Sequence, residues 1–101
     1  MTPKELHKRL QSDNIRILDV RELYEYNICR LENSLHIPLG QIIARFEELP
    51  ADQELVVLCH HGIRSALVVN YLQKNGFEKV HNLEGGIHLW SIDVEPTMIK
   101  Y

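Results

Sequence analysis

The sequence predicts an α/β domain whose central sheet is mainly parallel, holds about five short strands and is flanked by helices on both faces. Three observations predict it. Short apolar runs rich in β-branched residues alternate with helical patterns along the chain. One of those runs, Leu55-Val56-Val57-Leu58-Cys59, is apolar throughout, as a central parallel strand covered on both faces requires. The 101 residues, 45% hydrophobic and 25% charged, fit a single domain spanning residues 1–101, large enough to bury a core without metals or disulfides.

Each element follows from local chemistry. Thr2 can cap a first helix, Pro3 suits its first position, and Glu5 completes a capping box, with Leu6 and Leu10 on one face. Ile15 to Val20 is short, apolar and β-branched, and reads as a buried strand. Glu22 to Tyr26 reads as a turn of helix. Leu35-His36-Ile37 reads as a strand stopped by Pro38. Ile42 to Leu49 carries Ile42, Ile43, Phe46 and Leu49 at helical spacing, with Pro50 past its end. After the strand ending at Cys59, Ser65 to Asn75 is the clearest helix, closed by Gly76. Phe77 to Leu83 holds a short strand around Val80, and Gly85-Gly86 opens a last helix with Ile87, Leu89 and Trp90. The tail from Asp93 to Tyr101 has no readable period.

Composition excludes several function classes. A formal net charge of −3 and the lack of any basic run give no attraction to nucleic acid or acidic membranes. No apolar run approaches membrane-spanning length, and Met1-Thr2-Pro3-Lys4-Glu5-Leu6 has no signal-peptide core. Two cysteines, Cys29 and Cys59, are too few for a disulfide scaffold. These features predict a cytoplasmic, reduced protein, where a free thiol is usable.

Cys59 ends the strongest strand, and parallel α/β sheets place their sites beyond the carboxyl ends of the strands. The residues that follow, His60, His61, Gly62, Ile63, Arg64 and Ser65, run straight into a helix. Unpaired N–H groups at a helix start, together with its dipole, form an anion site. Gly62 lets successive N–H groups converge. Free cysteines ionise near pH ~8.5, and a helix start beside cations favours the thiolate. Arg64 supplies a permanent cation, and His60 and His61 conditional ones. The thiol is therefore expected to be ionised and exposed. It would attack an electrophilic sulfur to give a persulfide, cradled by the same N–H groups.

Three stretches carry a family resemblance: Leu18-Asp19-Val20-Arg21-Glu22-Leu23-Tyr24-Glu25-Tyr26, the loop Cys59 to Ser65, and Leu83-Glu84-Gly85-Gly86-Ile87-His88-Leu89-Trp90. In this order and spacing the chain resembles rhodanese-like domains over nearly its whole length. The resemblance implies a sulfurtransferase that moves sulfane sulfur from thiosulfate or a persulfide donor to cyanide or a thiol through a Cys59 persulfide. It implies that Cys59 is the nucleophile and that His60 to Ser65 bind the persulfide. Arg64 and the histidines would attract an anionic donor such as thiosulfate. Asp19 would help order the loop, and Arg21 and Glu25 would pair locally. It implies no metal and no cofactor, and partners limited to a small sulfur donor or a sulfur-relay protein. One stretch departs from the family: Cys29 and Arg30 stand where glycine and histidine are usual, and Asn33 replaces a second glycine. Asn tolerates left-handed backbone, so that turn is expected to persist.

Alternative chemistries use the same loop. A cysteine phosphatase or arsenate reductase on a related scaffold would hold five residues between cysteine and arginine, whereas four separate Cys59 from Arg64. A binding or regulatory module without turnover is a third reading, but such members of the family it resembles often lack the cysteine, and this chain keeps Cys59. A carrier that receives sulfur from a protein desulfurase is compatible with every feature. Cys29 reads as an apolar filler more readily than as a resolving thiol. A metal set drawn from His36, Cys29, Cys59, His60 and His61 lacks a Cys-x-x-Cys pair, and adjacent histidines seldom both reach one ion, so zinc binding is not expected. Trp90 reads as a core anchor, and His7, His81 and His88 carry no signal of their own.

Overall fold

The structure is a computed structural model that describes residues 1–101. Its elements run α1 (Pro3–Arg9), β1 (Ile15–Asp19), α2 (Leu23–Ile28), β2 (Leu35–His36), α3 (Ile42–Arg45), β3 (Glu54–Leu58), α4 (Ile63–Lys74), β4 (Val80–Asn82) and α5 (Gly86–Asp93). The strands form one all-parallel sheet in the order β2-β1-β3-β4. It has four strands rather than the expected five or so, because no run beyond these is apolar enough to extend it.

The alternation along β3 divides the core. Leu55, Val57 and Cys59 face a cluster with Leu18, Val20, Ile42, Val68 and Leu72, under α3 and α4. Val56 and Leu58 face the opposite cluster with Leu6, Ile15, Ile17, Leu83, Ile87 and Trp90, under α1 and α5. Helices therefore cover both faces, and the continuous apolar run of β3 reflects burial on both. Trp90 anchors the second cluster, as expected.

Local details follow the side chains. Thr2 Oγ1 accepts the Glu5 N–H at 3.2 Å, but the Glu5 carboxylate takes the Thr2 hydroxyl instead of its backbone N–H, so the box is only half formed. The segment Ile42 to Leu49 is a short α-helix continued by a 3₁₀ turn over Phe46–Glu48, and Ile43 is exposed. Asn33 takes φ of 61°, the left-handed turn expected of it. No helix is long and apolar enough to cross a membrane.

The strand order places the site. The chain leaves β1 for β2 on one side, then returns to β3 on the other, so the winding direction switches between β1 and β3. Asp19 pairs with Leu58 in register, so the carboxyl ends of both strands sit side by side at this switch point. Cys59 is the first residue past β3.

Candidate active site

Cys59 lies directly before the loop that becomes α4. Its Sγ accepts the N–H of Gly62 at 3.1 Å and of Ser65 at 3.3 Å, and lies 3.2 Å from Ser65 Oγ. The N–H groups of His60, His61, Ile63 and Arg64 have no partner within the protein. A helix start thus wraps donors around one sulfur, with others left for an anion. Gly62 adopts φ of 102°, which lets the loop close this tightly. The thiol is less open than expected: Cys59 is 1% exposed, so only a slim group reaches it. The cause is the short loop, which folds its own backbone over the sulfur.

Two neighbours fix the loop. The Ser65 hydroxyl reaches Asn82 Oδ1 at 2.6 Å, and Asn82 Nδ2 donates to the Gly62 carbonyl at 3.0 Å. From the other side, the N–H groups of Ile87 and His88 donate to the carbonyls of Cys59 and His60 at 2.9 and 3.0 Å. This approach requires Gly86, where a Cβ would overlap both carbonyl groups. The Gly85-Gly86 signature is therefore a docking device for the cysteine loop. Asn82, which the sequence did not single out, is visible only once β4 is placed beside β3.

Arg64 does not stand free to attract a donor, as expected from sequence. Its guanidinium makes a two-pronged pair with Glu25, Nη1–Oε1 at 2.7 Å and Nη2–Oε2 at 2.9 Å. Glu25 is 3% exposed. Hydrogen bonds from Arg64 outweigh burial, Tyr101 adds a further one, and the Glu25 carboxyl is lowered to about 2. The same pair holds the Arg64 guanidinium above the usual arginine range.

Arg21 and Glu25 do not pair through their charges either. Arg21 is fully buried and grips Asp19, with Nη2–Oδ2 at 2.6 Å and Nε–Oδ1 at 2.9 Å. Its remaining N–H groups donate to the backbone carbonyls of Glu25 and Cys29 and to Tyr101 Oη. Burial works against this charge, but the bonds to Asp19 and Tyr101 overcome it and raise the Arg21 pKa. Asp19 spends its oxygens on Arg21, so it orders the loop only at second hand, through Arg21, Tyr101, Glu25 and Arg64. The local pairing failed because the Asp19 carboxylate, at the strand end, lies nearer the guanidinium.

Tyr101, from the unreadable tail, closes this network. Its hydroxyl donates to Glu25 Oε2 at 2.7 Å, and its ring stacks on His60 with centroids 3.9 Å apart. Burial and the Glu25 acceptor raise the phenol pKa, so it stays a donor. Burial lowers the His60 pKa, with repulsion from His61 and His88 adding to it. His36 sits elsewhere, its Nε2 2.7 Å from the Arg21 carbonyl and its ring stacked on Tyr26. Cys29 and Cys59 are both free thiols, and Cys29 lines a small cavity with His60, His88 and Tyr101. A larger cleft of about 490 Å³, between Trp90, Leu31 and Asp13, contains no residue of the cysteine loop. That cleft contains no cysteine, and its titratable lining is His7, Asp13, Arg30, Glu32 and Glu95.

Comparison with known proteins gives the family and the fold. The family model for the rhodanese-like domain matches residues 2–93. The chain is 38% identical over 85 residues to the Bacillus subtilis protein YrkF, named as a sulfur carrier protein, covering 83% of this chain and 46% of that one. The chain thus spans less than half of that relative. It is 25% identical over 101 residues to the thiosulfate sulfurtransferase GlpE of Glaesserella parasuis, covering 100% of this chain and 94% of that one. A solved rhodanese-related protein from Thermoplasma volcanium superposes with a TM-score of 0.88 at 30% identity, over 95% of this chain and 93% of that one. A parallel sheet, a cysteine at its switch point and a family match from Thr2 to Asp93 lead to one assignment: the chain belongs to the rhodanese-like domains.

Proposed function

We propose that this domain is a sulfurtransferase that carries sulfane sulfur on Cys59. The observation that carries the reading is that the N–H groups of Gly62 and Ser65 donate to Sγ, within a loop whose four other N–H groups have no partner. With thiosulfate as donor, the Cys59 thiolate attacks the outer sulfur. An S–S bond forms to Sγ, the bond to the sulfonate sulfur breaks, and sulfite leaves with its electron pair. The resulting terminal persulfide anion meets the open N–H groups of the loop. A thiolate or cyanide then attacks that terminal sulfur, and the Cys59 thiolate leaves. The name of the Glaesserella parasuis relative supports thiosulfate as donor.

The phosphatase reading finds less support. Four residues, not five, separate Cys59 from Arg64, and Arg64 is held by Glu25 rather than turned into the loop. Asp19 is buried and committed to Arg21, so it offers no general acid. A sulfur-carrier role within a longer protein is the second reading, favoured by the name of the Bacillus subtilis relative. Two free thiols suit a reducing, cytoplasmic setting.

Intact mass after incubation with thiosulfate tests the proposal. Wild type is expected to gain one sulfur, ~32 Da, and Cys59→Ser none. Turnover to thiocyanate with cyanide separates enzyme from carrier. No mass gain from any sulfane donor, with phosphate-ester hydrolysis present, would overturn the reading.

A further inference from the structure

Three imidazoles converge at the mouth of the cysteine loop. His60 and His61 come from the loop itself, and His88 from the first turn of α5. The ring centroids lie 4.0 Å apart for His60–His61, 5.0 Å for His61–His88 and 6.0 Å for His60–His88. One ring nitrogen from each lies within 4.8 Å of the others. The spacing from His61 to His88 in sequence, 27 residues, hides this cluster completely.

We propose that His60, His61 and His88 form a binding site for a first-row divalent cation such as Zn²⁺. Tetrahedral zinc, with Zn–N distances near 2.0–2.1 Å, separates its ligand nitrogens by roughly 3.4 Å. Nitrogens within 4.8 Å lie within side-chain reach of that spacing, and the rings of the adjacent His60 and His61, 4.0 Å apart and 34° from parallel, must turn to aim both at one ion. The backbone is already fixed: the His88 N–H donates to the His60 carbonyl at 3.0 Å, and the Ile87 N–H to the Cys59 carbonyl. The His60 ring stacks on Tyr101 with centroids 3.9 Å apart, which limits how far it turns. His61 is exposed, so a cation enters from solvent.

The donor set selects the ligand class. Three neutral imidazoles suit zinc, copper or nickel and do not suit calcium or magnesium, which prefer oxygen. Three protein ligands leave one tetrahedral position open. His60 and His61 directly follow Cys59 in its loop, and α5 docks on that loop through Ile87 and His88, so in this proposal the open position faces the cysteine loop and takes an anionic sulfur species as fourth ligand. Occupancy therefore covers the route to Cys59, and sulfur transfer falls when the cation binds. This consequence rests on the sulfur-transfer reading; the site itself does not.

The test is a calorimetric titration of Zn²⁺ alone into the reduced, tag-free full chain. Wild type is expected to bind one equivalent. His61→Ala, at an exposed position where folding is not at risk, and His88→Ala are each expected to weaken binding at least tenfold, since even supporting partners of metal ligands are worth 10–100-fold. Cys59→Ser is expected to bind within about threefold of wild type. Co²⁺ substitution gives a second readout: nitrogen ligation without a thiolate-to-metal charge-transfer band. The proposal is overturned if wild type takes up no stoichiometric Zn²⁺, if both histidine variants bind as wild type does, or if Cys59→Ser abolishes binding. None of these outcomes depends on thiosulfate turnover, so failure here leaves the proposed function standing and the reverse.

Discussion

The Arg64 guanidinium lies flat against the Glu25 carboxylate, with Nη1–Oε1 at 2.7 Å and Nη2–Oε2 at 2.9 Å, joining the cysteine loop to α2 across 39 residues of sequence. The carboxylate is nearly covered and its pKa is lowered to about 2, chiefly by Arg64. A depressed acid stabilises the fold above its unfolded pKa of about 4.3 and loses that contribution as pH falls toward the folded value. Stability is therefore expected to drop by about 3 kcal/mol between pH ~5 and pH ~2 on account of this one group. Urea midpoints measured across that range check it, with Glu25→Gln flattening the slope. A variant slope equal to that of wild type would assign the acid loss to other carboxylates.

Arg64 itself is a positioning residue in this arrangement. Arg64→Ala leaves the Glu25 charge buried without its partner, at a cost of about 3 kcal/mol. It also frees the loop where N–H groups must converge, and misplacement of about 1 Å lowers rates by up to about 100-fold. Arg64→Lys keeps the charge and loses the two-pronged geometry. It is expected to retain most stability but lose at least about tenfold in the rate of Cys59 persulfide formation. Equal fractional loss of rate and stability in Arg64→Lys would mean that the pair serves folding alone.

Gly86 separates docking from chain flexibility. Its φ of 62° and the overlap of any Cβ with the Cys59 and His60 carbonyls make Gly86→Ala strained twice over. The expected cost is about 2–4 kcal/mol, combining left-handed backbone with overpacking. Gly40 has open space around its Cβ position and no positive φ, so Gly40→Ala is expected to stay within about 0.5 kcal/mol of wild type. Thermal or urea denaturation of the two variants measures the contrast.

Much of this site was legible in the chain. The run Leu55 to Cys59 announced a strand covered on both faces, and the loop after it announced a helix start around a thiol, because both signals are local. Asn33 was legible for the same reason. The partners of the loop were not. Glu25, Asn82 and His88 reach it only through the parallel stacking of β1, β3 and β4, and no period in the sequence carries that register. The direction of Arg64 is not legible in the chain, because charge alone fixes what a side chain attracts, not which anion lies nearer. The tail gave no signal because Tyr101 is held by three single contacts, to Arg21, Glu25 and His60, rather than by a repeating apolar face.

Tyr101 also supplies a direct test of the network behind the loop. Its hydroxyl accepts from Arg21 Nη1 at 3.1 Å and donates to Glu25 Oε2 at 2.7 Å, bridging two charged groups that do not touch through their side chains. Tyr101→Phe keeps the ring on His60 and removes only the bridge. Arg21 Nη1 still donates to the Glu25 carbonyl, and Glu25 keeps both bonds from Arg64, so the loss is expected to be about 1–2 kcal/mol rather than a collapse. Tyr101→Ala removes the stack as well, and is expected to let the His60 ring move. The His60 pKa, followed by NMR titration of its ring protons, should then rise toward the ordinary histidine value, because burial is the first cause of its depression. In Tyr101→Phe the same titration should stay put. Identical His60 titrations in all three proteins would show that the ring is desolvated by its own loop, and that Tyr101 binds the network without covering the site.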